Sequence, residues 1–159
     1  MFLLLAVAAA VLVLDQATKF IVRLNLDPNQ TTPVIQGLFN ITHVRNTGAA
    51  FGLFSQRQPF FVVATIVAIG LIIFYHQRTK EKNVWFDIAL GLELGGALGN
   101  LVDRVFRGYV TDFLHVSIVP VFNIADSAIV VGVVMLFISL FMDLRRERRE
   151  EKPDVPGPA

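Results

Sequence analysis

Two aspartates in apolar surroundings are the residues of this sequence best suited to do chemistry. The stretch YVTDFLHVSIVPVFNIADSAI, residues 109–129, places Asp112 and Asp126 among side chains that favour hydrocarbon over water. Two carboxylates held close together share a proton, so one can act as a base on water while the other acts as an acid. The pair therefore suggests the chemistry of aspartic proteolysis, provided that the chain between them lets the two carboxylates converge.

A divalent metal ion is the alternative use for these carboxylates. Asp112, Asp126 and His43 could supply three ligands, but no helical HExxH motif supports such a site. The chain has no cysteine, which excludes disulfides, thiolate metal ligands and thiol nucleophiles. The metal site therefore stays open as an alternative without a supporting motif.

Asp15 and Lys19 form a second charged pair within an apolar stretch. Their spacing of four, with the acid first, suits an ion pair on one helix. A charged group inside a membrane is costly unless it is paired or hydrated, so each one is a candidate functional group. From the residues alone, a structural pair and a substrate-facing pair fit this spacing equally well.

A polar cluster ends the third apolar stretch of the chain. Asn100, Asp103, Arg104 and Arg107 share one helical face through spacings of three, four and seven. Asp103 and Arg104 fall where this stretch meets water, so we interpret them as an ion-pair network that anchors the next loop. Asn100 is the member of the cluster that we expect to touch a ligand.

Asn123 and Asp126 lie three residues apart at the first turn of the fourth apolar stretch. An acceptor at a helix N-terminus is stabilised there, which favours a structural cap. A cap accounts for one aspartate, but not for two that flank the same connection.

The composition indicates a membrane protein. The chain has 159 residues, of which 54% are hydrophobic and 17% charged, and its mean hydropathy is +0.60. A soluble domain of this length is less apolar. The formal net charge of +1 gives no reason to expect binding to nucleic acid. Four apolar stretches, at about 2–22, 59–75, 84–102 and 119–142, are each long enough to cross a bilayer as a helix.

The first apolar stretch could instead be a cleaved signal peptide. It has no Lys or Arg before its apolar run, and Asp15 and Lys19 stand where the cleavage region should be. We therefore favour a retained helix.

Glycine recurs every four residues in the third apolar stretch, at Gly91, Gly95 and Gly99. Such spacing lines one helix face and lets a neighbouring backbone approach closely, and Gly96 is expected to widen that face. The glycines predict helix packing rather than chemistry.

The polar segments predict one membrane-embedded domain, residues 1–142, with a cap and a tail. Residues 24–58 contain turn signals and the partly alternating FNITHV, which predict a small cap of short strands. Residues 143–159 are charged and end in Pro and Gly, which predicts a disordered tail. Lys and Arg are concentrated in residues 76–83 and in the tail, which predicts cytoplasmic termini and an external cap.

Five motifs occur in order along most of the chain. They are DQATK at 15–19, RNTGAAFG at 45–52, GGALGNLVDR at 95–104, GYVTDF at 108–113 and FNIADSAI at 122–129. Together they resemble signal peptidase II, the prolipoprotein signal peptidase family of bacteria. Any one motif is weakly specific, but five in order are highly specific.

The resemblance implies an all-α integral membrane protein with four transmembrane helices and a small extracytoplasmic β-rich cap. It implies a monomer in the bacterial cytoplasmic (inner) membrane, whose partners are prolipoprotein substrates and membrane lipid. The reaction would be hydrolysis on the amino side of a diacylglyceryl-modified cysteine, which removes the signal peptide without a cofactor.

The resemblance also implies roles for individual residues. Asp112 and Asp126 match the catalytic pair. The positions that match substrate-binding or supporting residues are Asp15, Lys19, Asn46, Gly48, Asn100, Asp103, Arg104 and Asn123. Glu93 departs from the apolar residue expected at its place.

Two other classes of protein remain as alternatives. In a proton-coupled transporter or channel subunit, a proton relay would be formed by Asp15, Lys19, Glu93, Asp112 and Asp126. Such a relay needs ionisable groups through the full membrane depth. Of these residues, only Glu93 is expected to lie clearly deep in the membrane. A structural membrane subunit held by its glycines would leave the aspartates and asparagines without a purpose.

Overall fold

Four long helices make up most of the described chain. The computed structural model describes residues 1–48, 58–79 and 83–150. Residues 49–57 of the expected cap, residues 80–82 and the tail residues 151–159 therefore lie outside the described part. The helices are α1 (Phe2–Asn25), α2 (Gln58–Arg78), α3 (Val84–Arg107) and α4 (Ile124–Glu150).

Helix α3 is the central helix, with α1, α2 and α4 packed around it. Its first turn is capped by the Asn83 side chain, which accepts a hydrogen bond from Phe86 N at 2.8 Å. It ends at Gly108, whose φ of +76° is a left-handed conformation that glycine adopts without strain. This ending turns the chain into a strand that starts two residues later.

Glycines allow α3 to lie close to two helices at once. Gly91 and Gly95 face α1, where a Cβ on Gly95 would stand 2.6 Å from the carbonyl oxygen of Ala8. Gly96 faces α4 instead, against the carbonyl oxygen of Ala125. The glycine face packs against a helix as predicted, but Gly96 serves a second interface and does not widen the first.

Three antiparallel strands form a sheet in the order β1-β2-β3. The strands are β1 (Thr31–Ile35), β2 (Phe39–Asn46) and β3 (Val110–Val116). In the β2–β3 ladder Val44 lies opposite Asp112 and Asn46 lies opposite Val110. The sequence predicted strands only within residues 24–58, whereas β3 comes from the connection between α3 and α4. Pairing with β2 satisfies the backbone polar groups of this connection.

Among the residues that the structure describes, three helices are long and apolar enough to cross a membrane. They are Phe2–Asn25, Gln58–Arg78 and the Ile124–Met142 part of α4. Helix α3 is as long as α1, with 24 residues, but it is less apolar because it carries Asp87, Glu93 and the polar cluster at its end.

The fourth helix differs from its predicted bounds at both ends. It begins at Ile124 instead of 119, because Pro120 disfavours helix in the residue before it and Phe122 pairs with Leu114 through backbone hydrogen bonds. It continues to Glu150, so the predicted disorder of residues 143–150 is wrong. The sequence DLRRERRE consists mainly of good helix formers, which explains this extension.

Candidate active site

Asp112 lies in the middle of β3 and is almost fully buried, with 2% of its surface exposed. Both carboxylate oxygens accept hydrogen bonds from side-chain amides. Asn46 Nδ2 donates to Oδ2 at 2.8 Å, and Asn123 Nδ2 donates to Oδ1 at 2.6 Å. The carboxylate is thus held from the neighbouring strand on one side and from the start of α4 on the other.

Asp126 lies in the first turn of α4, where it forms a reciprocal cap with Asn123. The Asp126 backbone N–H donates to Asn123 Oδ1 at 2.9 Å, and the Asn123 N–H donates to Asp126 Oδ2 at 3.2 Å. The other carboxylate oxygen, Oδ1, accepts from Asn100 Nδ2 at 2.8 Å. The predicted cap is therefore present, and it leaves the carboxyl group half-buried beside Asn100.

Asn123 connects the two carboxyl groups. Its side-chain amide donates to Asp112, and its backbone N–H donates to Asp126. The two aspartates, fourteen positions apart in sequence, are thus brought to one place by a single residue. The convergence that the sequence permitted is present in the fold.

The side-chain oxygen of each asparagine accepts a hydrogen bond, which fixes the orientation of its amide group. Lys19 Nζ donates to Asn100 Oδ1 at 2.9 Å, and Gly48 N donates to Asn46 Oδ1 at 3.0 Å. An oxygen occupied in this way leaves the NH2 group to face the carboxylates. Gly48 thus acts through its backbone, which keeps the Asn46 amide directed at Asp112.

Lys19 is fully buried at the centre of the supporting network. Its ammonium group lies 2.8 Å from Asp15 Oδ2, 3.3 Å from Asp103 Oδ2 and 2.9 Å from Asn100 Oδ1. An ammonium has three N–H donors, so each has an acceptor. Such complete pairing offsets much of the cost of burying a charge.

Asp15 and Asp103, the two carboxylates paired with Lys19, each accept a hydrogen bond from the backbone N–H of the residue directly before a candidate catalytic aspartate. Asp15 Oδ1 accepts from Ala125 N at 3.0 Å, directly before Asp126. Asp103 Oδ2 accepts from Thr111 N at 3.0 Å, directly before Asp112. The supporting network therefore fixes the start of α4 and the start of β3 relative to each other.

Burial and the nearby negative charge of Asp126 raise the pKa of Asp112. Desolvation is the larger cause and the negative charge of Asp126 the second, and together they raise the pKa of Asp112 from 3.8 to about 6. Hydrogen bonds from Asn46 and Asn123 act in the opposite direction. A carboxyl group with this pKa holds a proton under mildly acidic conditions, which suits a general acid.

Arg104 lies near the site without being part of the Lys19 network. Its guanidinium stands 5.4 Å from the ring centroid of Phe61 on α2, and it interacts electrostatically with Asp126 and Asp112. Asp103 pairs with Arg107 at 3.1 Å rather than with Arg104. An ion-pair network around Asp103 is thus present, but its cations are Lys19, Arg23 and Arg107, and the expected pairing with Arg104 is wrong.

His43 is not brought to the two aspartates. It is buried, and its Nδ1 lies 2.8 Å from the carbonyl oxygen of Leu26. Within residues 1–48, 58–79 and 83–150, no group of three His, Cys, Asp or Glu side chains could hold a metal ion. The three-ligand site considered as an alternative is therefore not formed by the described residues.

Two contributors to the site were not singled out from the sequence. Thr111 is fully buried and accepts a hydrogen bond from Arg23 at 3.1 Å through its hydroxyl. Gln16 donates to Asp15 at 3.1 Å and to the carbonyl oxygen of Gly99 at 3.0 Å. Their presence within the motifs GYVTDF and DQATK was the only signal, since neither residue is ionisable.

Comparison with known proteins identifies the family. The family model described as signal peptidase (SPase) II matches residues 7–142. The lipoprotein signal peptidase of Bacillus subtilis (strain 168) is 42% identical over 149 residues, which cover 91% of this chain and 97% of the relative. The lipoprotein signal peptidase of Geobacter sulfurreducens is 46% identical over 155 residues, which cover 93% and 94%.

The fold is also similar to solved structures. A bacterial membrane enzyme structure determined by the in meso method at 2.3 Å matches with a TM-score of 0.86 and 34% identity, covering 94% of this chain and 93% of the other. A second such structure, at 1.9 Å, matches with a TM-score of 0.79 and 35% identity. The family match and these similarities agree with the five motifs. This chain belongs to the signal peptidase II family of membrane proteases.

Proposed function

We propose that this protein is an aspartic endopeptidase that removes the signal peptide from diacylglyceryl-modified prolipoproteins. The bond cleaved is the peptide bond on the amino side of the modified cysteine. The observation that carries the proposal is the bridging of Asp112 and Asp126 by Asn123, through hydrogen bonds of 2.6 and 3.2 Å. A bridged carboxyl pair that shares one proton is the arrangement needed for acid–base hydrolysis.

The proposed reaction needs only water and the two aspartates. The ionised carboxylate takes a proton from water as the water oxygen bonds to the scissile carbonyl carbon. The protonated carboxyl group then gives its proton to the cysteine nitrogen as the carbon–nitrogen bond breaks. One new carboxyl terminus and one free amine result, and the pair again holds a single proton.

The assignment of acid and base follows from the surroundings of the pair. Asp112 is the more buried of the two, and its pKa of about 6 favours retention of the shared proton. Asp126 is only half-buried in the first turn of α4, so it is the more accessible of the two to an attacking water. We assign Asp112 as the general acid and Asp126 as the base, although the pair titrates as a unit.

The proposed topology places the pair near the outer surface of the bacterial inner membrane. All four helices span the membrane, with both termini in the cytoplasm and the three-stranded sheet as the external cap. Support comes from the Lys and Arg residues in residues 76–83 and at the end of α4. The substrate then approaches sideways from the bilayer, and a monomer suffices because all site residues come from one chain.

The substrate lipid is recognised through polar groups around the glyceryl esters. Acyl chains already lie in lipid before binding, so their transfer to the protein contributes little net free energy. Asn46 and Arg104 are the proposed donors to ester or backbone carbonyls, since both stand near the carboxyl pair at the outer end.

The test is a comparison of two purified precursors that differ only in lipid modification of the cysteine. We expect the protein to cleave the modified precursor and to release a signal peptide ending directly before the cysteine, as measured by mass spectrometry. Cleavage of the unmodified precursor should be at least tenfold slower. Equal turnover of both precursors would contradict the lipid requirement, and cleavage at another bond would contradict the proposed site.

A further inference from the structure

A cavity lies between α2, α3 and α4, away from the candidate active site. Its volume is about 440 Å³, and its walls are formed mainly by apolar side chains of α4, together with Phe86 and Glu93 of α3. Tyr75 of α2 and Phe137 of α4, on its two sides, are more than half exposed. The cavity is therefore accessible from the surrounding membrane between these two helices.

Glu93 is the acidic residue in the wall of this cavity, and the carboxyl-pair mechanism does not use it. Its Oε1 atom is buried, and no hydrogen-bond partner for that atom lies among residues 1–48, 58–79 and 83–150. Gly132 of α4 leaves room for this side chain, since a Cβ there would stand 2.8 Å from Glu93 Cγ. A buried acceptor without a partner is costly, so a ligand that donates to it would bind favourably.

The cavity lies on the same face of α3 as the active site. Phe86, Glu93 and Asn100 are spaced by seven residues, which returns each side chain to nearly the same side of a helix. With a rise of 1.5 Å per residue, Glu93 stands about 10 Å and Phe86 about 21 Å along the helix from Asn100. The cavity therefore lies further along α3, on the side of the helix from which Asn100 contacts Asp126.

This distance matches the organisation of a signal peptide. A signal peptide has a positively charged N-terminal region followed by an apolar region of about 7 to 15 residues. As a helix, that apolar region and the roughly three small residues between it and the cleaved bond together extend about 15 to 27 Å. If the cleaved bond is at Asp112 and Asp126, the positive charge next to a short apolar region falls at the level of the cavity between Glu93 and Phe86.

We propose that the cavity around Glu93 binds a Lys or Arg side chain from the N-terminal region of the substrate's signal peptide. The apolar stem of that side chain packs against Phe86 and Leu136, and its charged end donates to the Glu93 carboxylate. Two opposite charges that meet in the membrane compensate each other's burial. This inference rests on the proposed function, because it takes a signal peptide as the ligand.

The test compares the parent protein with Glu93→Gln on two lipid-modified precursors. One precursor keeps its basic N-terminal region, and the other has Gln in place of each Lys and Arg there. We expect Glu93→Gln to raise KM for the basic precursor about tenfold with kcat unchanged, and to leave both constants for the neutral precursor as in the parent. Asp27→Asn, which removes an exposed carboxylate from the α1–β1 connection, is the matched control and should change neither.

Three outcomes would overturn the inference while leaving the proposed function intact, since the parent cleaves throughout. Unchanged KM for the basic precursor would remove Glu93 from substrate binding. An equal rise of KM for both precursors would indicate a structural role or a bound lipid. Failure of Glu93→Lys to prefer a precursor with an acidic N-terminal region would exclude charge pairing. If the parent cleaves neither precursor, the proposed function itself fails.

A second measurement does not depend on how Glu93 variants fold. A photoreactive amino acid in place of Ser139, another residue of the cavity wall, is combined with Asp112→Asn so that bound precursor is not consumed. We expect cross-links to the N-terminal region of the signal peptide. Cross-links only to the mature part, or none, would contradict the inference.

Discussion

At the scale of single residues, three asparagines hold the two carboxyl groups in place. Lys19 in turn holds Asp15, Asp103 and Asn100 around them. Asn46, Asn100 and Asn123 each direct an amide NH2 at Asp112 or Asp126. An amide donor favours an ionised carboxylate without adding a charge, so it can position the pair and still let one member keep a proton. Asn100 and Asn123 could be singled out from their spacing to neighbouring polar residues, whereas Asn46 was predicted only through the resemblance, because an isolated Asn carries no spacing signal.

Loss of the Lys19 ammonium is expected to damage both stability and activity. Lys19→Met leaves Asp15 and Asp103 buried without their cation, and breaking a buried pair costs about 3 to 5 kcal/mol. We expect a lower thermal midpoint in detergent and at least a hundredfold loss of kcat/KM. Arg107→Met removes a more exposed cation from the same Asp103 and should cost less than tenfold. Similar losses for both variants would mean that the buried Lys19 charge matters no more to activity than the more exposed Arg107 charge.

The pH dependence of cleavage reports the proton shared by the aspartates. Because the pKa of Asp112 is raised to about 6, the proton is present below that value and lost as pH rises through it. We expect kcat/KM of the free enzyme to fall along an alkaline limb with a midpoint near pH 6. Asn46→Ala removes a bond that stabilises the ionised form and should move this midpoint upward. A profile that is flat from pH 5 to 9 would contradict the assignment of Asp112 as the acid.

At the scale of elements, helix ends and a strand deliver the site residues. Asp126 comes from the first turn of α4, Asn100 from the last turns of α3, and Asp112 from β3. Helices at the four apolar stretches were predicted from composition, because long apolar runs are visible without tertiary information, and three of these helices are long and apolar enough to cross a membrane among the described residues. Strand β3 was not predicted, since its pairing partner lies in β2, more than sixty residues earlier. Such long-range pairing leaves little local signal.

Close packing of α3 against α1 supports the site, and a substitution at Gly95 tests whether this packing matters. A Cβ on Gly95 would meet the Ala8 carbonyl oxygen at 2.6 Å, so Gly95→Val should force the helices apart and lower the thermal midpoint. A Cβ added at Gly70 of α2 would have nothing within 4 Å, so Gly70→Ala serves as the control. The control should be neutral or slightly stabilising, because Ala favours helix by up to about 1 kcal/mol. Equal midpoints for Gly95→Val and the parent would contradict the packing account.

At the scale of the whole molecule, the charged groups of the candidate site are gathered at one end of the helices. Asp15, Lys19, Asp103, Asp112 and Asp126 belong to one connected cluster. A proton relay through the membrane would need them spread along the helices, so this arrangement favours hydrolysis over transport. The sequence predicted that most ionisable groups lie toward one end. It could not predict their connectivity, which depends on how α1, α3 and α4 meet.

The far end of α4 is expected to be dispensable for catalysis. Truncation after Arg146 removes the last four residues of α4, at the end of this helix opposite the carboxyl pair, together with the sequence that follows them. Because Arg145 and Arg146 remain to hold the orientation, we expect activity within about twofold of the parent at equal expression. A large drop in turnover would show that this end contacts the substrate or a partner.

The most direct test of the central claim is single-turnover cleavage of a lipid-modified precursor by Asp112→Asn and Asp126→Asn. Each substitution keeps the size and polarity of the side chain but removes its ionisable carboxyl group. With membrane insertion and yield matched to the parent, we expect each variant to lose cleavage by at least a thousandfold. Near-normal turnover by either variant would contradict the proposed carboxyl pair.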